Sequence, residues 1–237
     1  MFNAFNALIA IIGKEVFAKD AHFNEAELEN IDNVAELCKT AKQFDMMPIV
    51  AFGLRGSEIV KNEKALKYLE RERVLAVSRY ERLEYCVTEL KSIFERENLP
   101  FIMLKGAVIR NMYPNPAERT SCDVDVLVKN EDLSRATAAL IAAGYAKTER
   151  GTHDVGFVSS GGVSVEVHFA LVNFGQDAAS KVLNDPFKDA ISRGGAEYAL
   201  SPETFYLFHI AHAAKHFDGG SGIKPFADLL LIKKHEV

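Results

Sequence analysis

A chain of 237 residues, 48% hydrophobic and 26% charged, is long enough for one generous domain, or for a catalytic domain with a helical partner. Its formal net charge of −5 argues against an extended nucleic-acid surface, which needs a basic face, though not against a nucleotide whose phosphates are screened by metal ions. The three widely spaced cysteines, Cys38, Cys86 and Cys122, fit neither a disulfide framework nor a zinc knuckle and read as free thiols in a reducing cytoplasm.

The apolar stretch 5–12 is short, no Lys or Arg precedes it, and Lys14, Glu15 and Lys19 follow without a small-residue cleavage site. It reads as an amphipathic helix, not a signal peptide or membrane span, and predicts a cytoplasmic protein without a membrane partner. Residues 33–44 carry helical apolar spacing, and 48–54 form a short buried piece. From 63 to 98 the chain has apolar residues at three- and four-residue intervals, many charges and no Gly or Pro, which predicts a long helix with a solvated face.

Pro100 stops that helix, and the texture changes. Residues 101–104 predict a buried strand, Lys105-Gly106 interrupts it, and 107–113 form two helical turns ended by Pro114, Asn115 and Pro116. A second strand, 123–128, is followed by a helix capped by Asn130 or Asp132 and closed at Gly144. Residues 155–159 and 163–169 predict two strands joined through Gly161-Gly162. The remainder returns to helix, with Ser201-Pro202-Glu203 as a start signal. The sequence runs out soon after Leu229 to Lys234 with no stop signal, which leaves open whether it is a piece of a longer protein. The expected organisation is a helical region over 1–99, an α/β core over 100–200 and a helical tail over 201–237, an α+β protein.

Side chains alternate along a strand, so Asp123 and Asp125 project one way while Val124, Val126 and Val128 face the other. Two adjacent carboxylates repel, and a hard divalent cation such as Mg²⁺ removes the conflict. On the later strand Ser164, Glu166 and His168 share a face opposite Val163, Val165, Val167 and Phe169. If the two strands are neighbours, Glu166 becomes a third carboxylate at the same cation. Asp-x-Asp alone is most often a solvent-facing pair, and a lone strand Glu is most often the wet side of a hairpin. The order of strand, Lys-Gly break, short helix and Asp-x-Asp favours the functional reading. Gly106 lets backbone approach a phosphate, Lys105 adds a point charge and Arg119 a forked one. By itself, Lys105 is as often a surface lysine.

Leu104-Lys105-Gly106, Tyr113-Pro114, Arg119 and the run Asp123 to Val128 resemble the uncharacterised nucleotidyltransferase family of the DNA polymerase β superfamily. Glu166-Val167-His168, the run His212 to His216 and Asp228-Leu229 match that family's pattern too, so the likeness is strongest over the second half of the chain. Two features depart from the wider superfamily. The usual Gly-Ser or Gly-Gly phosphate loop is Lys105-Gly106, with no hydroxyl, and the gap from Gly106 to Asp123 is longer than is common.

The resemblance implies a polymerase β-like core and transfer of a nucleoside monophosphate from an NTP, ATP included, to an acceptor hydroxyl, with pyrophosphate leaving. Two divalent ions, Mg²⁺ or Mn²⁺, would be held by Asp123, Asp125 and Glu166, and Glu166 would take the acceptor's proton. The nucleotide would contact Lys105, Gly106 and Arg119. The acceptor is left open among a small molecule, a protein side chain and an RNA end.

His209, His212 and His216 fall on one face of the tail helix. Their spacing suits a metal, but Ala213 stands where a zinc protease has Glu, so packing against the core or lining the acceptor side is the favoured reading. His168 is a candidate for support of the metal site from behind its ligands, with His212, His216 and Asp228 on the acceptor side. Two alternatives stand beside transfer: a degenerate nucleotide-binding or interaction protein without turnover, and a metal-dependent hydrolase using the histidine helix.

Overall fold

The computed structural model describes residues 2–172, 181–217 and 222–235, the side chains of 215–217 excepted. Helices α1 (Ala4–Phe17), α2 (Ile31–Gln43), α3 (Met47–Gly53) and α4 (Glu63–Arg96) occupy the first part of the chain. Each begins where sequence chemistry provides for it. Asn3 accepts from the Asn6 amide at 3.0 Å, Asn30 from the Asp32 amide at 2.9 Å, and Pro48 sits in the first turn of α3. The 34 residues of α4 contain no helix breaker.

Two compact units share the chain. The first comprises 1–80, 110–120 and 221–227. In it α1 packs on α2 and α3 through buried Leu8, Ile11, Leu37, Ile49 and Val50. Asp45, in the left-handed region at φ 56, accepts the Thr120 hydroxyl at 2.6 Å and pairs with Lys224, tying three separate segments to one turn.

The second unit comprises 81–109, 121–220 and 228–237. Its centre is a seven-stranded mixed sheet: β1 (Phe101–Met103), β2 (Asp123–Val128), β3 (Ala146–Arg150), β4 (Asp154–Val158), β5 (Ser164–His168), β6 (Ile191–Gly194) and β7 (Glu197–Ala199). The spatial order is β3-β4-β5-β2-β1-β7-β6, with β2–β5 and β1–β7 parallel and the other pairs antiparallel. The unit also holds α5 (Gly106–Ile109), α6 (Leu133–Ala142) and α7 (Pro202–Phe217), while α8 (Lys224–Lys234) begins in the first unit.

One face of the sheet is apolar. Val124, Val126 and Val128 of β2, Val155 and Phe157 of β4, and Val165 and Val167 of β5 join Leu90, Phe94 and Leu140 in a single buried cluster. Each fully buried Val, Leu or Phe of this kind contributes about 1.5–3 kcal/mol relative to exposure. The same alternation turns the polar residues of β2 and β5 to the opposite face.

The α+β class is the one the sequence predicts, and the hairpin through Gly161-Gly162 forms with Gly162 at φ 74. Three local expectations are corrected. Residues 191–199 are not helix but a β-hairpin, turned at Gly194 and Gly195, that adds β7 and β6 to the sheet beside β1. An unanticipated edge strand, β3, pairs with β4 while all five of its residues stay exposed. Asp132 precedes α6 but makes no side-chain cap; its carboxylate takes the Arg135 guanidinium at 2.8 Å instead.

Candidate active site

The carboxylates are brought together by strand register. In the parallel β2–β5 pair Asp125 lies directly opposite Glu166, and Asp123 opposite Ser164. Directly opposed residues project on the same face, so Asp123, Asp125 and Glu166 share the polar side of the sheet. Across β5, Gly156 of β4 stands opposite Glu166 and contributes no side chain there; Asp154 stands opposite His168.

Asp125 is the hub. Its Oδ1 accepts Lys105 Nζ at 2.7 Å and meets His168 Nε2 at 2.9 Å, and the Asp125 and His168 side chains are only 3% and 2% exposed. His168 Nε2 also lies 3.4 Å from Glu166 Oε2. Burial alone would raise the Asp125 pKa, but the His168 hydrogen bond and the Lys105 charge outweigh it and hold the carboxylate below its usual range. The reverse balance applies at His168, where burial opposes the charge and Asp125 with Glu166 overcome it, raising the pKa.

Asp123 behaves differently. Burial first, then the neighbouring Asp125 and Glu166 charges, push its pKa up against a smaller opposing effect of Lys105. Three carboxylates thus share this face, with Lys105 acting on Asp125 and Asp123, and a hard divalent cation would relieve the surplus negative charge. Among the described residues, Asp125, Glu166 and His168 bring ligand atoms within 4.8 Å of one another.

Lys105 reaches this position from an unusual backbone. Its φ of 40 lies in the left-handed region between β1 and α5, a conformation costing roughly 1–2 kcal/mol in a residue with a Cβ. The amides of Ala107, Val108 and Ile109 are occupied by the carbonyls of Leu104 and Lys105. The single turn of α5, opened by buried Gly106, therefore does not present the row of free amides expected for phosphate. The cationic side chain of Lys105 is what the turn delivers.

Arg119 belongs to the first unit, where its Nη1 donates to the Thr120 carbonyl at 3.2 Å. On α7, His209 is buried, donates through Nδ1 to the Phe205 carbonyl at 2.7 Å and packs on Phe205 and Phe208. His212 is half-buried near Phe208, and the side chain of His216 lies outside the described residues. Asp228 is buried in α8. The groups able to close on a metal, among the described residues, lie on the sheet and not on α7. The sequence analysis does not single out His153 or Asp154; counting back from Gly161-Gly162 places residue 154 opposite His168.

The profile of the uncharacterised nucleotidyltransferase family matches residues 31–236. The chain belongs to that family. As a nucleotidyltransferase it is an enzyme of a class that generally uses divalent metal, and acidic groups suited to one are present on the sheet. No curated protein matches the chain. Similar solved structures include a crystal structure of ANT(2″)-Ia in complex with adenylyl-2″-tobramycin, at 14% identity and TM-score 0.48 over 64% of this chain and 87% of that one. A solution structure of the antibiotic-resistance factor ANT(2″)-Ia matches at 14% identity and TM-score 0.46 over 63% and 81%. No helix among the described residues is long and apolar enough to cross a membrane.

Proposed function

We propose that this nucleotidyltransferase moves a nucleoside monophosphate from an NTP to a hydroxyl of an acceptor and releases pyrophosphate. Asp123, Asp125 and Glu166 are the residues that would hold Mg²⁺ or Mn²⁺. The observation that carries the reading is the register of β2 on β5, which sets Asp125 opposite Glu166 beside a third carboxylate with a raised pKa. When bound, the metal supplies charge neutralisation for the triphosphate and for the oxygens that change partners.

The chain's own groups have distinct tasks. Lys105, whose ammonium pairs with Asp125, would donate to a phosphate oxygen where a cation takes over the neutralisation of that carboxylate. Glu166, more exposed than Asp125, would accept the acceptor's proton. His168 fixes the Asp125 carboxylate from the side. His212 and Asp228, both in the second unit, are proposed for the acceptor side.

One observation favours a second reading, nucleotide binding without turnover: the Lys105 ammonium already neutralises Asp125. Incubation with each of the four α-labelled NTPs, Mg²⁺ or Mn²⁺, and cell extract as acceptor source separates the two. Label transferred to an acceptor supports the enzyme reading. Metal-dependent NTP binding without transfer supports the second, and neither binding nor transfer overturns both.

A further inference from the structure

We propose a second, distinct metal site on the same sheet face, formed by His153, Asp154 and His168 and suited to a borderline divalent ion such as Zn²⁺. The three side chains bring one ligand atom each within 4.8 Å of one another. His153 Nε2 and Asp154 Oδ2 stand 3.4 Å apart. Two ligands of one tetrahedral ion with bonds of ~2.1 Å are separated by about that distance. The rings of His153 and His168 lie 5.4 Å apart, centroid to centroid, and the side chains of His153 and Asp154 are only 16% and 20% exposed.

The hydrogen bonds behind the ligands carry the case further. A metal-bound histidine holds its other ring nitrogen against an oxygen, which fixes the tautomer and aims the free nitrogen. His168 directs Nε2 at Asp125 Oδ1, 2.9 Å away, and its Nδ1 is buried with no hydrogen-bond partner among the described residues. The two ring nitrogens diverge. Nε2 is engaged by Asp125 of β2, which leaves Nδ1 as the ring nitrogen for a ligand on the β4 side, where Asp154 is the cross-strand partner of His168. His153 has the same division of labour: Nδ1 meets the Thr152 hydroxyl at 3.1 Å and Nε2 faces Asp154. Two imidazoles and one carboxylate suit Zn²⁺ better than Mg²⁺, which prefers an all-oxygen shell. An ion here would fasten the His168 ring, and through it the orientation of Asp125.

The test is a Co²⁺ titration of the chelator-treated full chain in excess Mg²⁺, read by visible d–d absorption, with Zn²⁺ as competitor. The expected result is one Co²⁺ per chain with the intense bands of a tetrahedral nitrogen–oxygen site, displaced by Zn²⁺. His153→Ala and the milder Asp154→Asn should each weaken binding at least tenfold with unchanged circular dichroism, while Asp123→Asn should leave the bands intact. Loss of the bands in Asp123→Asn with retention in both other variants would place the ion among the aspartates and overturn the proposal. So would absence of the bands in the parent protein, and neither result would touch Mg²⁺-dependent NTP binding, which is measured separately.

Discussion

Lys105 Nζ lies 2.7 Å from Asp125 Oδ1, on a side chain only 17% exposed, so the cluster carries an internal cation of its own. Breaking such a pair by removing one partner typically costs about 3–5 kcal/mol, because the other charge is left buried and unmatched. Lys105→Met is therefore expected to lower the melting temperature of the metal-free protein, and Mg²⁺ or Mn²⁺ should recover more stability in the variant than in the parent. Thermal unfolding with and without cation measures both. Equal metal-free melting temperatures would contradict the pairing.

Asp123 gives the opposite sign. Its carboxylate is disfavoured by burial and by the Asp125 and Glu166 charges. Asp123→Asn should raise metal-free stability, by about 0.5–1.5 kcal/mol, while removing metal-dependent NTP binding, as when an active site retains a strained group for function. Denaturant unfolding in EDTA provides the check. A destabilised variant would show that the crowding is not felt.

Much of this site was legible because β2 and β5 alternate cleanly, so Asp123 with Asp125, and Glu166 with His168, each declared a shared face, and only the pairing of the two strands had to be supplied by the fold. The partner of Lys105 was not legible. Twenty residues separate it from Asp125, and the left-handed backbone that aims it is set by tertiary context. The hairpin at 191–199 was missed for a different reason: Ile191-Ser192-Arg193 and the strand after Gly194-Gly195 bury little, so the period-2 signal is absent. Strand β3, exposed at every position, owes its place to pairing with β4.

Glu118, in the first unit, offers a pH test away from the candidate site. Burial, then Glu15 beside it, push its pKa from 4.5 up to about 8. The folded protein thus keeps a proton that the unfolded chain has lost, and unfolding releases it between those values. Stability falls as pH rises through that window, by at most ~1.4 kcal/mol per pH unit from this group. Glu118→Gln should lose less stability than the parent between pH 5 and pH 8, as read by denaturant midpoints. Parallel pH profiles would contradict it.

Gly156 tests the sheet beside Glu166. A Cβ there would stand 2.3 Å from the Thr148 hydroxyl and 3.3 Å from the Glu149 carbonyl. Gly156→Ala should destabilise by roughly 1–3 kcal/mol through overpacking, and Thr148→Ala in the same chain should return part of that loss. An additive double-mutant cycle in denaturant would show that the two positions do not touch.

Whether the aspartate pair holds the metal and nucleotide is decided by binding of a nonhydrolysable NTP analogue in Mn²⁺, measured by isothermal titration on the parent and on the Asp123→Asn, Asp125→Asn double variant. Metal-dependent binding is expected in the parent, and none in a double variant that remains folded by circular dichroism. Unchanged, metal-dependent binding in the folded double variant would contradict it.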